Sequence, residues 1–120
     1  MCVFCKIIQG EIPSYKVYED DLVLAFLDVN PESNGHTLII PKQHFKDLVE
    51  IEEDVLNHIL KVAKELGVKI QDKLNCDGYT LIQNNGFVQE VKHFHLHIVP
   101  KYINEPEKLE LSEIEKRLNN

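Results

Sequence analysis

No apolar run in these 120 residues approaches the roughly 18 needed to cross a bilayer as a helix, which excludes a membrane span. Positive charge is also scarce: 13 Lys and Arg face 20 Asp and Glu, for a formal net charge of −7. A nucleic-acid groove needs a basic footprint, so nucleic acid is excluded as a partner, while a small phosphorylated ligand stays open. Cysteine is sparse and odd in number, three in all, which suits a reducing compartment better than a disulfide framework. Met1-Cys2-Val3-Phe4-Cys5-Lys6 has neither the basic region nor the apolar stretch of a secretory signal, so a cytoplasmic location is expected. Internal repeats and low-complexity segments are absent. Hydrophobic content of 43% and charged content of 28% fit one globular domain over 1–120, with its core in about 2–102 and a tail at 103–120.

Against that plain background, half of the six histidines fall within five residues, in His93-Phe94-His95-Leu96-His97-Ile98-Val99. The alternation has the period of a β-strand. The imidazoles are then expected on one face, roughly 6.6 Å apart, with the apolar side chains behind them. A solvated strand face would explain the pattern blandly. Histidine also offers a nucleophile, an acid or a metal ligand at neutral pH.

Earlier in the chain, Phe4–Gln9 reads as a short helical turn, closed by Gly10 and Pro13. Lys16–Glu19 and Leu22–Leu27 read as a hairpin joined by Asp20-Asp21. Asp28, Asn30, Pro31, Asn34 and Gly35 make a turn-rich loop before a third strand, His36–Ile40, stopped by Pro41. Residues 52–74 carry the one long amphipathic helix, with Val55, Ile59, Val62, Leu66 and Ile70 on its stripe. That stripe is wide enough to cover a sheet with apolar surface to spare. Tyr79–Ile82 is a fourth strand, Asn84-Asn85-Gly86 a loop, and the histidine run a fifth strand. Ser112 and Glu115 suggest a capping box for a last short helix whose Ile114 and Leu118 face inward. Short strands around one long helix predict class α+β, an antiparallel sheet with a helix on one face.

His93–Val99 resembles the signature of the histidine triad (HIT) family of nucleotide hydrolases and transferases. The likeness extends over Phe4-Cys5-Lys6-Ile7-Ile8, Glu11-Ile12-Pro13, Tyr18-Glu19-Asp20-Asp21, Ala25-Phe26-Leu27-Asp28 and the block from Gly35 to Lys42 with His44. It points to the bacterial branch near the Hint proteins. The resemblance implies a HIT-like five-stranded antiparallel sheet and a two-fold homodimer through the long helix. It also implies a purine nucleotide substrate attacked at its α-phosphorus by His95, with a nucleotidyl-histidine intermediate that water hydrolyses. His97 and His36 would flank the phosphate, Asp28 the ribose, and Asn84 the phosphate edge. Gln89, Phe4, Ile7, Val29 and Leu38 complete the implied nucleotide contacts. The chain departs from that pattern between Gly86 and Gln89, where two residues are missing, and at Glu90, where many relatives have serine.

Cys2 and Cys5 form a C-x-x-C pair that alone says little; with His44 and His93 the count reaches four. Two thiolates and two imidazoles make a closed tetrahedral zinc site, and some HIT relatives use this ligand set. A structural Zn2+ is expected there. Cys76 is expected as a packed core thiol and His58 as a solvated, silent residue. The expected function is cleavage of purine nucleoside phosphoramidates. The alternatives are a dinucleoside polyphosphate hydrolase or a nucleotide-binding regulator with incidental hydrolysis.

Overall fold

The structure, a computed structural model, describes residues 2–120. A short helix α1 (Val3–Ile8) precedes strands β1 (Lys16–Glu19), β2 (Val23–Leu27) and β3 (Thr37–Pro41). The long helix α2 (Glu53–Leu74) follows, then β4 (Gly78–Gln83), a 3-10 turn at Gly86–Val88, β5 (Leu96–Lys101) and helix α3 (Leu111–Leu118). The strands form one antiparallel sheet in the order β1-β2-β3-β5-β4. No helix among the described residues is long and apolar enough to cross a membrane.

Both faces of the middle of the sheet are covered, which corrects the expectation of one. Val23, Ala25, Leu27, Ile39, Leu96 and Ile98 pack beneath α2 and α3. Leu24, Phe26, Leu38 and Ile40 pack beneath α1 with Phe4 and Ile7. All five residues of β2, and all five of β3, are therefore buried, with no polar alternation. Gly67 lets α2 approach β4, since a Cβ there would overlap the Tyr79 hydroxyl. The stripe from Val55 to Leu74 is spent on the chain's own core. On this side apolar side chains stay exposed at Leu60 and Val68 of α2 and at Leu81 of the edge strand β4, which pairs with Ile98; Ile82, next along, turns to the opposite face.

Most boundaries shift by a residue from expectation, and three of the differences have a physical cause. β3 begins at Thr37 and includes Pro41, which pairs with Val23. β5 begins at Leu96, because no ladder partner reaches further back: Ile39 and Gln83 both end opposite Leu96. The Phe94 N–H goes instead to the Phe45 carbonyl at 2.7 Å. The capping box is not formed. Leu111 already lies in α3, Glu110 takes the cap position without a side-chain bond, and Ser112 is inside the helix. Leu109 and Leu111 pack on the core and draw the chain into the helix early.

Candidate active site

Two cavities meet at the start of β5. One of about 340 Å³ is walled largely by apolar side chains, among them Phe4, Ile7, Phe26, Val29 and Leu38. The other, about 400 Å³, has Glu32, His36, Asn84 and Ile82 in its wall. Asp28, Asn30, Glu90, His95 and His97 line both, so the two are halves of one cleft divided at these side chains.

The buried His95 ring has its Nδ1 2.7 Å from the His93 carbonyl oxygen. A carbonyl only accepts, so Nδ1 carries the hydrogen and donates it. Nε2 of the neutral ring is then a lone pair, and no hydrogen bond engages it among the described residues. Phe4 fixes the ring edge-on at a centroid distance of 5.1 Å, and His97 lies 4.9 Å away on its other side.

A second tautomer chain sits opposite. The Glu32 N–H donates to His36 Nδ1 at 3.1 Å, so His36 carries its hydrogen on Nε2. That atom lies 2.9 Å from His97 Nδ1, which accepts, leaving the His97 hydrogen on Nε2. Burial pushes His97 down to about 4, with His95 and His36 adding to the effect. Burial also lowers His36, against the opposing pull of Asp28 and Glu32. Both rings are neutral at pH 7. Asp28 caps its own turn, Oδ1 accepting the Asn30 N–H at 2.9 Å, and sets Oδ2 3.5 Å from His36 Nε2. It is turn aspartate and cleft residue at once.

Behind Phe4 lies another constellation. His93 Nε2–H donates to the Pro41 carbonyl at 2.9 Å, which leaves its Nδ1 as an acceptor. Nδ1 faces His44 Nδ1 at 3.1 Å, Cys2 Sγ at 3.3 Å and Cys5 Sγ at 3.6 Å. The sulfurs are 3.2 Å apart, and His44 Nδ1 is 3.3 Å from Cys5 and 3.7 Å from Cys2. Tetrahedral zinc with bonds of about 2.0–2.3 Å sets its donors about 3.3–3.8 Å apart; four of the six separations fall in that range, and the Cys2–Cys5 and His44–His93 edges, at 3.2 and 3.1 Å, would open slightly around an ion. Burial lowers His93, and burial together with Cys2 raises the Cys5 thiol. A cation here would have to displace the thiol protons. Asp28, His36 and His97 also converge, but their ring nitrogens are engaged with each other.

The structure brings Asp28, Asn84, His36, His95 and His97 to the cleft, with Phe4, Ile7, Val29 and Leu38. Gln89 is not brought there. It is buried, with Oε1 accepting from the Gly86 N–H and Nε2 donating to the Lys46 carbonyl at 2.7 Å, so it braces the shortened loop. Glu90 faces both halves of the cleft. Cys76 is the expected core thiol. His58 is not silent: its Nε2 is 2.6 Å from Asp20 Oδ2, tying α2 to the β1–β2 turn. Sequence reasoning missed Glu32, whose contribution is a backbone N–H and leaves no side-chain signal. Asn30, two residues after Asp28, was legible only as a turn residue.

A family model of the HIT domain matches residues 9–104. An uncharacterised HIT-like protein of Methanocaldococcus jannaschii is 48% identical over 116 residues, 95% of this chain and 89% of that one. The adenosine 5'-monophosphoramidase of Saccharomyces cerevisiae is 44% identical over 102 residues, 83% of this chain and 62% of that one. A zinc-bound histidine triad family protein of Mycobacterium smegmatis has a similar structure, with a TM-score of 0.91 and 32% identity over 98% of this chain and 90% of that one.

Proposed function

The chain belongs to the HIT domain family, and from that premise we propose that its cleft hydrolyses purine nucleoside phosphoramidates at the α-phosphorus. The observation that carries this reading is the His95 ring. Its Nδ1–H is fixed on the His93 carbonyl, and its Nε2 lone pair is free where the two cavities meet. The apolar half, with Phe4, Ile7, Val29 and Leu38, takes the base, and Asp28 accepts from the ribose hydroxyls. The α-phosphorus then lies at His95. Nε2 attacks it in line, the P–Nε2 bond of the nucleotidyl-imidazole forms, and the P–N bond to the leaving amine breaks. His97 Nε2–H is the hydrogen-bond donor placed for the phosphoryl oxygens, with His36 holding it there, and the departing nitrogen takes its proton from water in the cleft and leaves as the neutral amine. Asn84 lines the phosphate side. Water attacks the intermediate in the second step, releasing the nucleoside monophosphate and neutral His95.

Charge supports the phosphoramidate over the dinucleoside polyphosphate. Asp28, Glu32 and Glu90 line the phosphate half and no Lys or Arg does, so a multiply charged bridge would meet like charge there. The activity named for the Saccharomyces cerevisiae relative supports the same choice.

Cys2, Cys5, His44 and His93 would hold one zinc ion. It supplies structural closure, because four protein donors leave no position for water. A homodimer is part of this reading, with α2 and the exposed edge of β4 at its interface.

Incubation with an adenosine phosphoramidate and a dinucleoside polyphosphate side by side tests the reading. Faster turnover of the first, with an acid-labile adduct on the His95 peptide, is expected. His95→Gly should abolish turnover and keep nucleotide binding within about tenfold. Equal activity in wild type and His95→Gly would sink the mechanism.

A further inference from the structure

Asn34 lines neither half of the cleft, yet it is buried, at 8% exposure, and ties two distant parts of the chain together. Its Nδ2 donates to the Glu107 carbonyl at 2.8 Å, and its Oδ1 accepts the Leu109 N–H at 3.0 Å. Its own carbonyl accepts from the Tyr102 hydroxyl at 2.8 Å. The next residue back repeats the pattern, Ser33 Oγ donating to the Pro100 carbonyl at 2.6 Å. The segment 32–34 is thus hung from the chain that follows β5. Gly35 seals it in place: a Cβ there would stand 2.6 Å from Leu74 Cδ1.

What this segment carries is the Glu32 N–H, the donor that makes His36 Nδ1 an acceptor. The His36 N–H is in turn held by the Ser33 carbonyl at 3.2 Å. We propose that Asn34 is a positioning residue through which the C-terminal tail fixes the His36 tautomer, and with it the hydrogen bond to His97. Without the amide, both tail bonds are lost together and the Glu32 N–H loses its fixed approach. His36 is then free to take the other tautomer, which cannot donate to His97 from Nε2. Misplacement of this kind costs rate out of proportion to distance. Ribose recognition should be spared. Asp28 is secured by its own turn and by its N–H on the His36 carbonyl at 2.9 Å, neither of which involves the tail.

The kinetic arm of the test rests on the phosphoramidase reading; a second arm does not. Asn34→Ala, Asn34→Asp and Tyr102→Phe are compared with wild type and with Lys108→Ala, which alters an exposed side chain of the tail outside these bonds. Thermal melts establish that each variant is folded at the assay temperature. With an adenosine phosphoramidate, kcat of Asn34→Ala should fall about tenfold or more while KM stays within about threefold. Tyr102→Phe removes only the third tether and should fall less, whereas Asn34→Asp keeps the Leu109 bond but sets a carboxylate oxygen against the Glu107 carbonyl and should fall at least as far as Asn34→Ala. Lys108→Ala should match wild type. Proton NMR of the folded proteins should show a protected imidazole N–H of the His36–His97 bond in wild type and its loss in Asn34→Ala. A folded Asn34→Ala with kcat within twofold of wild type and that resonance intact would overturn the proposal. If wild type turns over no phosphoramidate, the function assigned above fails while the resonance still decides the role of Asn34. If Asn34→Ala does not fold, the partial loss of rate and of the resonance in Tyr102→Phe decides it, and its absence there overturns the proposal.

Discussion

His36 Nε2 and His97 Nδ1 lie 2.9 Å apart and share one hydrogen, so the bond exists only while His97 Nδ1 carries no proton of its own. A proton on His97 Nδ1 would set donor against donor. A proton on His36 Nδ1 would instead break the bond from the Glu32 N–H and leave the one to His97 in place.

Stability should therefore fall as pH drops from about 6.5 toward 4. In the folded state His97 is held at about 4, below its ordinary 6.5, so in that window the unfolded chain binds more protons. Its contribution is fully present above 6.5, shrinks as pH falls and is exhausted near 4. The cleft admits solvent to the ring, so the loss should be about 1–2 kcal/mol rather than the full unscreened cost. Urea midpoints across pH 4–7.5 check this; His97→Gln should flatten the slope, and an equal slope in that variant would refute the assignment.

Loss of metal should be felt in stability before chemistry. One ion would join the N-terminus, the segment after β3 and the residue that leads into the triad. Binding to the folded state alone raises the melting temperature by mass action, and affinity should weaken as acid protonates the imidazoles. Protein purified without an affinity tag should carry about one zinc per chain, and Cys5→Ala none. A metal-free wild type with full activity and an unaltered melt after chelation would return Cys2 and Cys5 to ordinary packing.

Asp20 is a stability residue remote from the cleft. Burial raises its carboxyl, but bonds from His58, Tyr18 and the Val23 and Leu22 N–H groups overrule this and hold it well below the usual carboxylate range. The same contact pushes the Tyr18 phenol up to about 12. This stabilisation is present above pH 3.8 and is lost as pH falls through the depressed value. Asp20→Ala should cost about 2–3 kcal/mol and His58→Ala about 1 kcal/mol, with kcat unchanged in both. Denaturant unfolding beside the hydrolase assay measures each.

Association should run through the edge strand. β4 has a partner on one side only and exposes Leu81 on the face that α2 covers, where Leu60 and Val68 are exposed as well. Sedimentation at micromolar concentration should give twice the 13.9 kDa chain mass. Val68→Glu should shift the protein toward monomer; a monomeric wild type would exclude the interface.

The sequence spoke most clearly where local geometry decides. A period of two placed Phe94, Leu96 and Ile98 in the core and set His95 and His97 together beside the cleft. It could not show that His93, Phe94 and His95 precede the strand, because that depends on the Phe45 carbonyl capturing the Phe94 N–H from a distant segment. The ligand cluster was legible because thiols and imidazoles are rare enough to be counted. The work of Glu32 and Asn34 was not, since it passes through main-chain donors and acceptors. The Ser112 capping signal was overruled by apolar contacts of Leu109 and Leu111. The breadth of the α2 stripe suggested spare surface, but α3 and both ends of the sheet consume most of it.

His93 serves two sites with different atoms, its ring facing the cysteines and its carbonyl holding His95. Every amino acid at position 93 would bring a carbonyl with it, and the Phe94–Phe45 bond that aims that carbonyl is main chain as well. The two inheritances are therefore separable. Descendants of this chain could drift at position 93, lose the four-donor cluster and keep the His95 ring held at the cleft, whereas a change that shifted the Phe45 segment would release that ring without touching a histidine.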